Sequence, residues 1–284
     1  MGDGACLGIC FTDRELLFAV NHPGKEREIR HTGCYEFSFH VRHVLTAGDS
    51  GLFDLIATSV RRIRDRFPAA EARILTPAPE ECWTILPRSV YENSAERESH
   101  IRMLMEGVPR ADLSVSWDSV SNSDYKLLTI RQNTSFTPFE KLLKDFSLTE
   151  FFSEYELGTK WQDSTGENGS FLHIHCQTRY LSVSSHILGK LRGVAIIPYQ
   201  APEDLTYLWK LHASRLPWMK GIHEKIYLHG PEASLVSSLL HTQWEDAGDT
   251  ILMNSFDAMK ITAPEKTVGF KLESAFPAVL LSIA

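Results

Sequence analysis

LGICFTDRELLF runs from Leu7 to Phe18, and LHIHCQTRYLSV runs from Leu172 to Val183. At one constant offset Leu7 meets Leu172, Ile9 meets Ile174, Arg14 meets Arg179 and Leu16 meets Leu181. Leu and Ile are common, so these identities need support from their surroundings. Both stretches read as a strand, a tight polar turn and a second strand. A third strand follows in each case: EIRHTGCYEFSFHV after the first and KLRGVAIIPY after the second. Then the period changes to that of a helix. SGLFDLIATSVRRIRDRF follows the first, with Asp49 or Ser50 as its cap, and APEDLTYLWKLHASRL follows the second. A strand comes next in both, EARILTPA and EKIYLHG, and PEASLVSSLLHTQW adds a helix to the second. The chain therefore reads as a duplicated β-β-β-α-β-α unit, and duplication is what a fold of this length must be searched for first.

Between the copies the pattern is less regular. ECWTILP reads as a strand. SAERESHIRMLMEGVP reads as a helix capped by Ser94 and stopped by Gly107, Val108 and Pro109. DLSVSWDSV and DYKLLTIR alternate like a hairpin turning at SNSD. TPFEKLLKDFSLTEFFSEYELG is helical at its start. KWQDSTGENGS is polar and aperiodic and marks a boundary.

The whole chain is 284 residues, 43% apolar and 23% charged, which suits a globular protein with a substantial core. Its net charge is −7. Lys and Arg form no basic stripe, so no nucleic-acid partner is expected. VRRIRDRF, the densest basic stretch, reads as the wet face of an amphipathic helix. Five cysteines at irregular spacing predict free thiols in a reducing compartment. MGDGACLGIC lacks a basic region followed by a long apolar run, so no signal peptide is expected. No apolar run approaches the ~20 residues of a membrane span. Cytoplasmic placement follows from these readings.

Enzyme motifs are weak. GDSG, Gly48 to Gly51, precedes a helix and reads as a cap. There is no Gly-x-Ser-x-Gly and no Gly-x-x-x-x-Gly-Lys. His173 and His175 share one face of a strand and Cys176 the other. No Cys-x-x-Cys accompanies them, and the spacing of His186, His223 and His229 matches no metal pattern, so no metal site is expected.

Two lobes opening with a hairpin, a third strand, a helix and a strand resemble the actin-like ATPase superfamily, which includes actin, the 70-kDa heat-shock chaperones and sugar kinases. Within it the likeness is greatest to bacterial scaffolds of the PilM and FtsA type. LGICFTDRELLFAV, TILPRSVYENSAERESHIRMLMEGVP and KIYLHGPEASLVSSLL carry that resemblance. It implies an α/β, two-lobed actin-like (ribonuclease H-like) fold around an interlobe cleft. Residues 1–165 would form the first lobe, with an inserted subdomain at about 80–131, and residues 166–284 the second. The last helix, 274–284, with Pro277 in its first turn, would return to the first lobe.

The resemblance also implies where nucleotide would sit. In active relatives each hairpin turn carries Asp and Gly, for hydrated Mg²⁺ and for close backbone approach to phosphate. Here Cys10 stands where the first Asp would be, Phe11-Thr12-Asp13 replaces the Gly-rich turn, and HIHCQTR has no Gly. If ATP with Mg²⁺ were bound, Thr12, Asp13, Gln177, Thr178, Gly230 and Glu232 would face it. The expected state is no cofactor and no catalytic residue. The function expected from the resemblance is a non-catalytic scaffold of a pilus- or secretion-type assembly. Its partner would be a short cytoplasmic segment of an inner-membrane protein. The alternatives are an ATPase or small-molecule kinase with atypical loops, and an actin-like protein of some other process.

Overall fold

The computed structural model describes residues 5–22, 27–47, 50–120, 124–221, 223–243, 248–262 and 270–283. The chain begins with β1 (Cys6–Phe11), β2 (Glu15–Asn21), β3 (Ile29–Glu36), α1 (Val41–Ala47), α2 (Ser50–Arg66) and β4 (Glu71–Thr76). An insertion follows: β5 (Glu81–Pro87), α3 (Arg88–Glu92), α4 (Ser94–Leu104), β6 (Leu113–Val120) and β7 (Tyr125–Gln132). Then α5 (Asn133–Leu143), β8 (Leu148–Ser153) and α6 (Glu156–Thr165) complete the first half. The second half runs β9 (Phe171–Cys176), β10 (Tyr180–Ile187), β11 (Lys190–Pro198), α7 (Leu205–Arg215) and β12 (Lys225–His229). It continues with α8 (Ala233–Leu240), β13 (Asp249–Leu252) and α9 (Leu272–Ile283).

The two large sheets share one strand order, β3-β2-β1-β4-β8 and β11-β10-β9-β12-β13. In each, three antiparallel strands continue into two parallel ones. The likeness extends to single hydrogen bonds. Thr12 N–H donates to the Glu15 carbonyl at 3.0 Å, and Gln177 N–H donates to the Tyr180 carbonyl at 3.0 Å. Phe37 N–H donates to the Arg14 carbonyl and Tyr199 N–H to the Arg179 carbonyl, at 2.8 and 2.9 Å. The repeat seen in the sequence is thus a repeat in the backbone. The insertion forms a third sheet, β5-β7-β6.

Alternation along the strands sorts the core. Leu7 and Ile9 pack with Ile56, Val60, Ile63 and Phe139 of α2 and α5 on the outer face of the first sheet. Leu172 and Ile174 pack with Trp209 and Val236 of α7 and α8 on the outer face of the second. A third cluster lies between the sheets and is built around Trp161 of α6 and Phe276, Val279 and Leu280 of α9. There the last helices cross over: α9 packs across β1, β2 and β4, and α6 packs on β9 and β10.

Several local expectations change. A short helix, α1, precedes α2, so the β1–β4 copy of the unit has one more element than its pattern suggested. The cap of α4 is Asn93, whose side-chain carbonyl accepts from Ala95 and Glu96 N–H; Ser94 is already helical. TPFEKLLKDFSLTEFFSEYELG yields three elements, α5, β8 and the start of α6. KWQDSTGENGS is not all boundary, because α6 continues through it to Thr165 and ends at Gly166, with φ 69°. α9 begins at Leu272, which places Pro277 inside the helix and not in its first turn. Pro277 has no N–H to give the Glu273 carbonyl. Gly230 N–H supplies one instead, at 2.7 Å. Residues 121–123 of the SNSD turn, the Gly48 and Asp49 capping positions, and Ala284 lie outside the described residues. Among the described residues no helix is long and apolar enough to cross a membrane.

Candidate functional site

The two hairpin turns, 12–14 and 177–179, face the cleft between the sheets. Thr12 serves its own turn: its hydroxyl donates to the Glu15 carboxylate and accepts from Glu15 N–H, both at 3.1 Å. The Asp13 carbonyl accepts from Val41 N–H at 2.7 Å and so starts α1. Gln177 is buried and Thr178 half-buried. Gly230 has φ 107°, and a Cβ there would lie 2.4 Å from the Cys176 carbonyl oxygen, so the chain needs glycine. Glu232 N–H donates to that same carbonyl at 3.2 Å. Tyr199 closes on the second turn, its hydroxyl donating to the Gln177 carbonyl. Burial, then the carboxylates of Glu232 and Asp13, push its pKa up. Gln177, Gly230 and Glu232 therefore meet around the Cys176 carbonyl, while Thr12 and Asp13 form the turn of the other hairpin.

A buried polar bridge spans the space between the turns. Glu154, in the link between β8 and α6, accepts a hydrogen bond from the Tyr180 hydroxyl at 2.7 Å. Its other oxygen is 3.3 Å from His175 Nδ1. Arg42, on α1, donates to the Tyr180 hydroxyl at 2.8 Å and to the Phe11 carbonyl at 3.2 Å, and its Nη2 lies 3.9 Å from Glu154. Burial alone raises the Glu154 pKa, but His175, Arg42 and Tyr180 outweigh it and hold the carboxyl below its usual range. Burial also pushes the Tyr180 hydroxyl well up. His175 Nε2 is 2.8 Å from the Gln177 amide nitrogen. With the amide donating, the hydrogen-bond pattern assigns the His175 proton to Nδ1, facing Glu154.

Beside this bridge lies a stack of imidazoles. The His229 ring is 4.5 Å from that of His175 and 4.7 Å from that of His173, and it packs on Phe276 of α9 at 4.4 Å. Burial, then the neighbouring imidazoles, hold His173 and His229 well below the ordinary histidine pKa. Among the described residues no group of three or more His, Cys, Asp or Glu is arranged to hold a metal ion.

The fit to Mg-ATP is poor. A phosphate needs free backbone donors and Mg²⁺ needs oxygen ligands. The N–H groups of Thr12, Gln177, Gly230 and Glu232 are all spent on the protein's own carbonyls. Cys10 donates weakly to the Ser274 carbonyl, 3.7 Å away, and its thiol is pushed up to about 12 by burial. Arg42 is committed to Tyr180, Phe11 and Glu154, while Asp13 and Glu232 add negative charge.

A separate groove opens where the inserted sheet meets α6 and the β10–β11 turn. It encloses about 280 Å³. Val120, Leu127 and Tyr155 form its buried base, with Leu191 against them. Leu188 and Gly189, both at positive φ, make the two-residue turn at its rim. Glu156 lines it, accepts from Ser153 N–H at 2.6 Å, and is pushed up to about 7 by burial.

Glu154, Arg42 and Tyr180 are absent from the sequence expectations. They come from three separate elements and no spacing links them. The one signal is a carboxylate inside the apolar run FFSEYELG, since a buried charge needs partners.

No protein-family model and no curated protein matches the chain. Solved structures do. A chain of the PilM–PilN type IV pilus biogenesis complex has a TM-score of 0.71 at 9% identity, covering 98% of this chain and 98% of that one. A Bacteroides thetaiotaomicron VPI-5482 protein with actin-like ATPase fold and unknown function has a TM-score of 0.54 at 10% identity, covering 88% and 91%. The cytoplasmic domain of EpsL, an inner-membrane component of the type II secretion system of Vibrio cholerae, has a TM-score of 0.52 at 9% identity, covering 97% and 94%. At such identities the likeness speaks to the fold, and the chain has the actin-like ATPase fold.

Proposed function

We propose that this protein is a non-catalytic actin-like scaffold that holds a short cytoplasmic segment of an inner-membrane protein within a pilus- or secretion-type assembly. The observation that carries this is the Arg42–Tyr180–Glu154 bridge. It fills the space between the hairpin turns with buried hydrogen bonds and favours a closed pair of lobes over nucleotide-driven opening. The groove between the inserted sheet and the second lobe remains as the docking place. The structural likeness to chains of pilus and secretion assemblies supports the choice of process. The protein would be cytoplasmic and reach the membrane through its partner.

Calorimetry with Mg-ATP tests the first half. The expected result is no binding at micromolar nucleotide and no phosphate release above background. Tight binding, or phosphate release lost in Asp13→Ala, would return the protein to the ATPases or kinases.

A further inference from the structure

We infer that the groove between the inserted sheet, α6 and the β10–β11 turn is a recognition pocket for a lysine or arginine side chain of the partner segment. The inference rests on the scaffold reading above. At about 280 Å³ the pocket is at the small end for ligand sites and suits a few side chains better than a cofactor. Val120, Leu127 and Leu191 supply an apolar wall along which an alkyl stem can lie. Three carboxyl groups line the same pocket, Asp118 from β6 and Glu156 and Asp163 from α6. The two lysines present are Lys160 and Lys190, and the Lys160 ammonium is held over the Phe152 ring at 4.7 Å. The lining is therefore acidic on balance.

Glu156 makes that balance functional. Burial raises its pKa to about 7, and Glu81 from β5 adds to the rise. The Ser153 N–H, Arg131 from β7 and Lys160 oppose it. Tyr155, beside it, faces the Thr129 hydroxyl at 3.0 Å. A cation entering the pocket meets a half-buried carboxyl that already accepts from the Ser153 N–H. Its arrival ionises Glu156 and releases the proton. The partner class fits, because cytoplasmic segments next to membrane spans carry an excess of Lys and Arg. The protein's own net charge of −7 favours the same encounter.

Panning the full chain against a displayed random peptide library tests this. Enriched peptides are then synthesised, located by hydrogen exchange and titrated calorimetrically at pH 7 in two buffers of different ionisation enthalpy. The expected peptides carry Lys or Arg beside apolar residues and protect residues 155–163 and 187–191. They release a fraction of a proton per complex, since burial raises the Glu156 pKa toward the assay pH. Glu156→Gln should weaken them at least about tenfold and abolish the proton release without lowering the melting temperature. Asp118→Asn, away from the backbone contact of Glu156, should weaken them in the same direction. Peptides that protect this pocket but lack a basic residue, or that bind Glu156→Gln equally well, overturn the inference and leave the scaffold reading standing. Failure of any peptide to protect the pocket overturns both.

Discussion

The two lobes answer one packing problem in opposite ways. In the first lobe the small residue is on the strand. A Cβ on Gly8 of β1 would lie 2.0 Å from the Ala278 carbonyl oxygen and 2.8 Å from Ser282 N, so α9 rests directly on strand backbone. Cys6 and Cys10, on the same face, direct their thiols at the Leu281 and Ser274 carbonyls. In the second lobe the strand positions equivalent to Cys6, Gly8 and Cys10 hold Phe171, His173 and His175. There the small residue is on the helix: Gly158 of α6 faces His173, Ser184 and His186. The crossing helices thus meet a thin strand face in one lobe and a thick aromatic one in the other. Identical backbones do not force identical interfaces; the side chains decide which partner must give way.

The largest break in this comparison comes from removing α9. Phe276, Val279, Leu280 and Leu281 are wholly buried, and burying side chains of this size contributes roughly 1.5–3 kcal/mol each. The sum is of the order of a domain's whole stability. Deleting residues 276–284 should give insoluble or unfolded chain, read from the soluble fraction on expression and from far-UV circular dichroism. A truncated chain that melts like the full one would mean that α9 does not hold the lobes together.

Gly8→Ala comes next. Its methyl group meets backbone, which cannot rotate aside, so α9 must lift from β1. Overpacking of this kind costs about 1–3 kcal/mol, and a backbone clash belongs at the upper end. A denaturation midpoint unchanged from the parent would show that the helix is not seated as tightly as the backbone contact requires.

The sequence made one side of this arrangement legible and hid the other. The hairpins could be read because turns and alternation recur at one offset in both halves. α9 could be read because Phe276, Val279, Leu280 and Ile283 fall on one stripe. α6 could not: its buried face is only Leu157, Gly158 and Trp161, and Gln162, Asp163 and Ser164 make the rest look like loop. The cleft turns were legible as turns. The bridge was not, because Arg42, Glu154 and Tyr180 meet only once the sheets are in place, and no local pattern records a contact across the cleft.

Titration separates the Cys6–Cys10 strand face from the imidazole-lined one by the sign of their response. His173, His186 and His229 have folded pKa values below the unfolded one, His186 at about 4. The unfolded chain takes up protons first as pH falls below about 6.5, so stability is full above that pH and is lost below it. For His186 the loss at pH 5 is about 2 kcal/mol. Glu154, held below its usual range, adds to the loss in stronger acid, as pH falls through its folded value. The first-lobe face responds in base. Cys6 and Cys10 are both pushed up to about 12 by burial, so their contribution is full below pH 9 and is lost as pH rises toward 12. Chemical denaturation from pH 4 to 11 should therefore show two flanks. Substituting His186 with Phe should flatten the acid flank alone, and a flank unmoved by it would separate the acid response from the imidazoles.

Gly158→Ala is the smallest expected effect and the sharpest use of the comparison. Its methyl group would lie 2.6 Å from His186 Nε2 and 2.6 Å from Ser184 Oγ, as close as contacts that elsewhere force a backbone to move. Here the two nearest obstacles are the ends of side chains, and the third, His173 Cβ at 3.2 Å, must give by only a few tenths of an ångström. Neither Ser184 Oγ nor either ring nitrogen of His186 has a hydrogen-bond partner among the described residues, so turning them aside breaks no bond. The limit on movement is the Phe171 ring, stacked on His186 at 4.5 Å. Against this local cost stands the gain from replacing glycine in a helix, about 1 kcal/mol. The two nearly cancel, and the expected change in unfolding free energy is about 1 kcal/mol or less. Gly8→Ala, with a nominally similar clash, should lose clearly more. If the two substitutions cost the same, the distinction between a face that can yield and one that cannot is wrong, and the lobes pack alike after all.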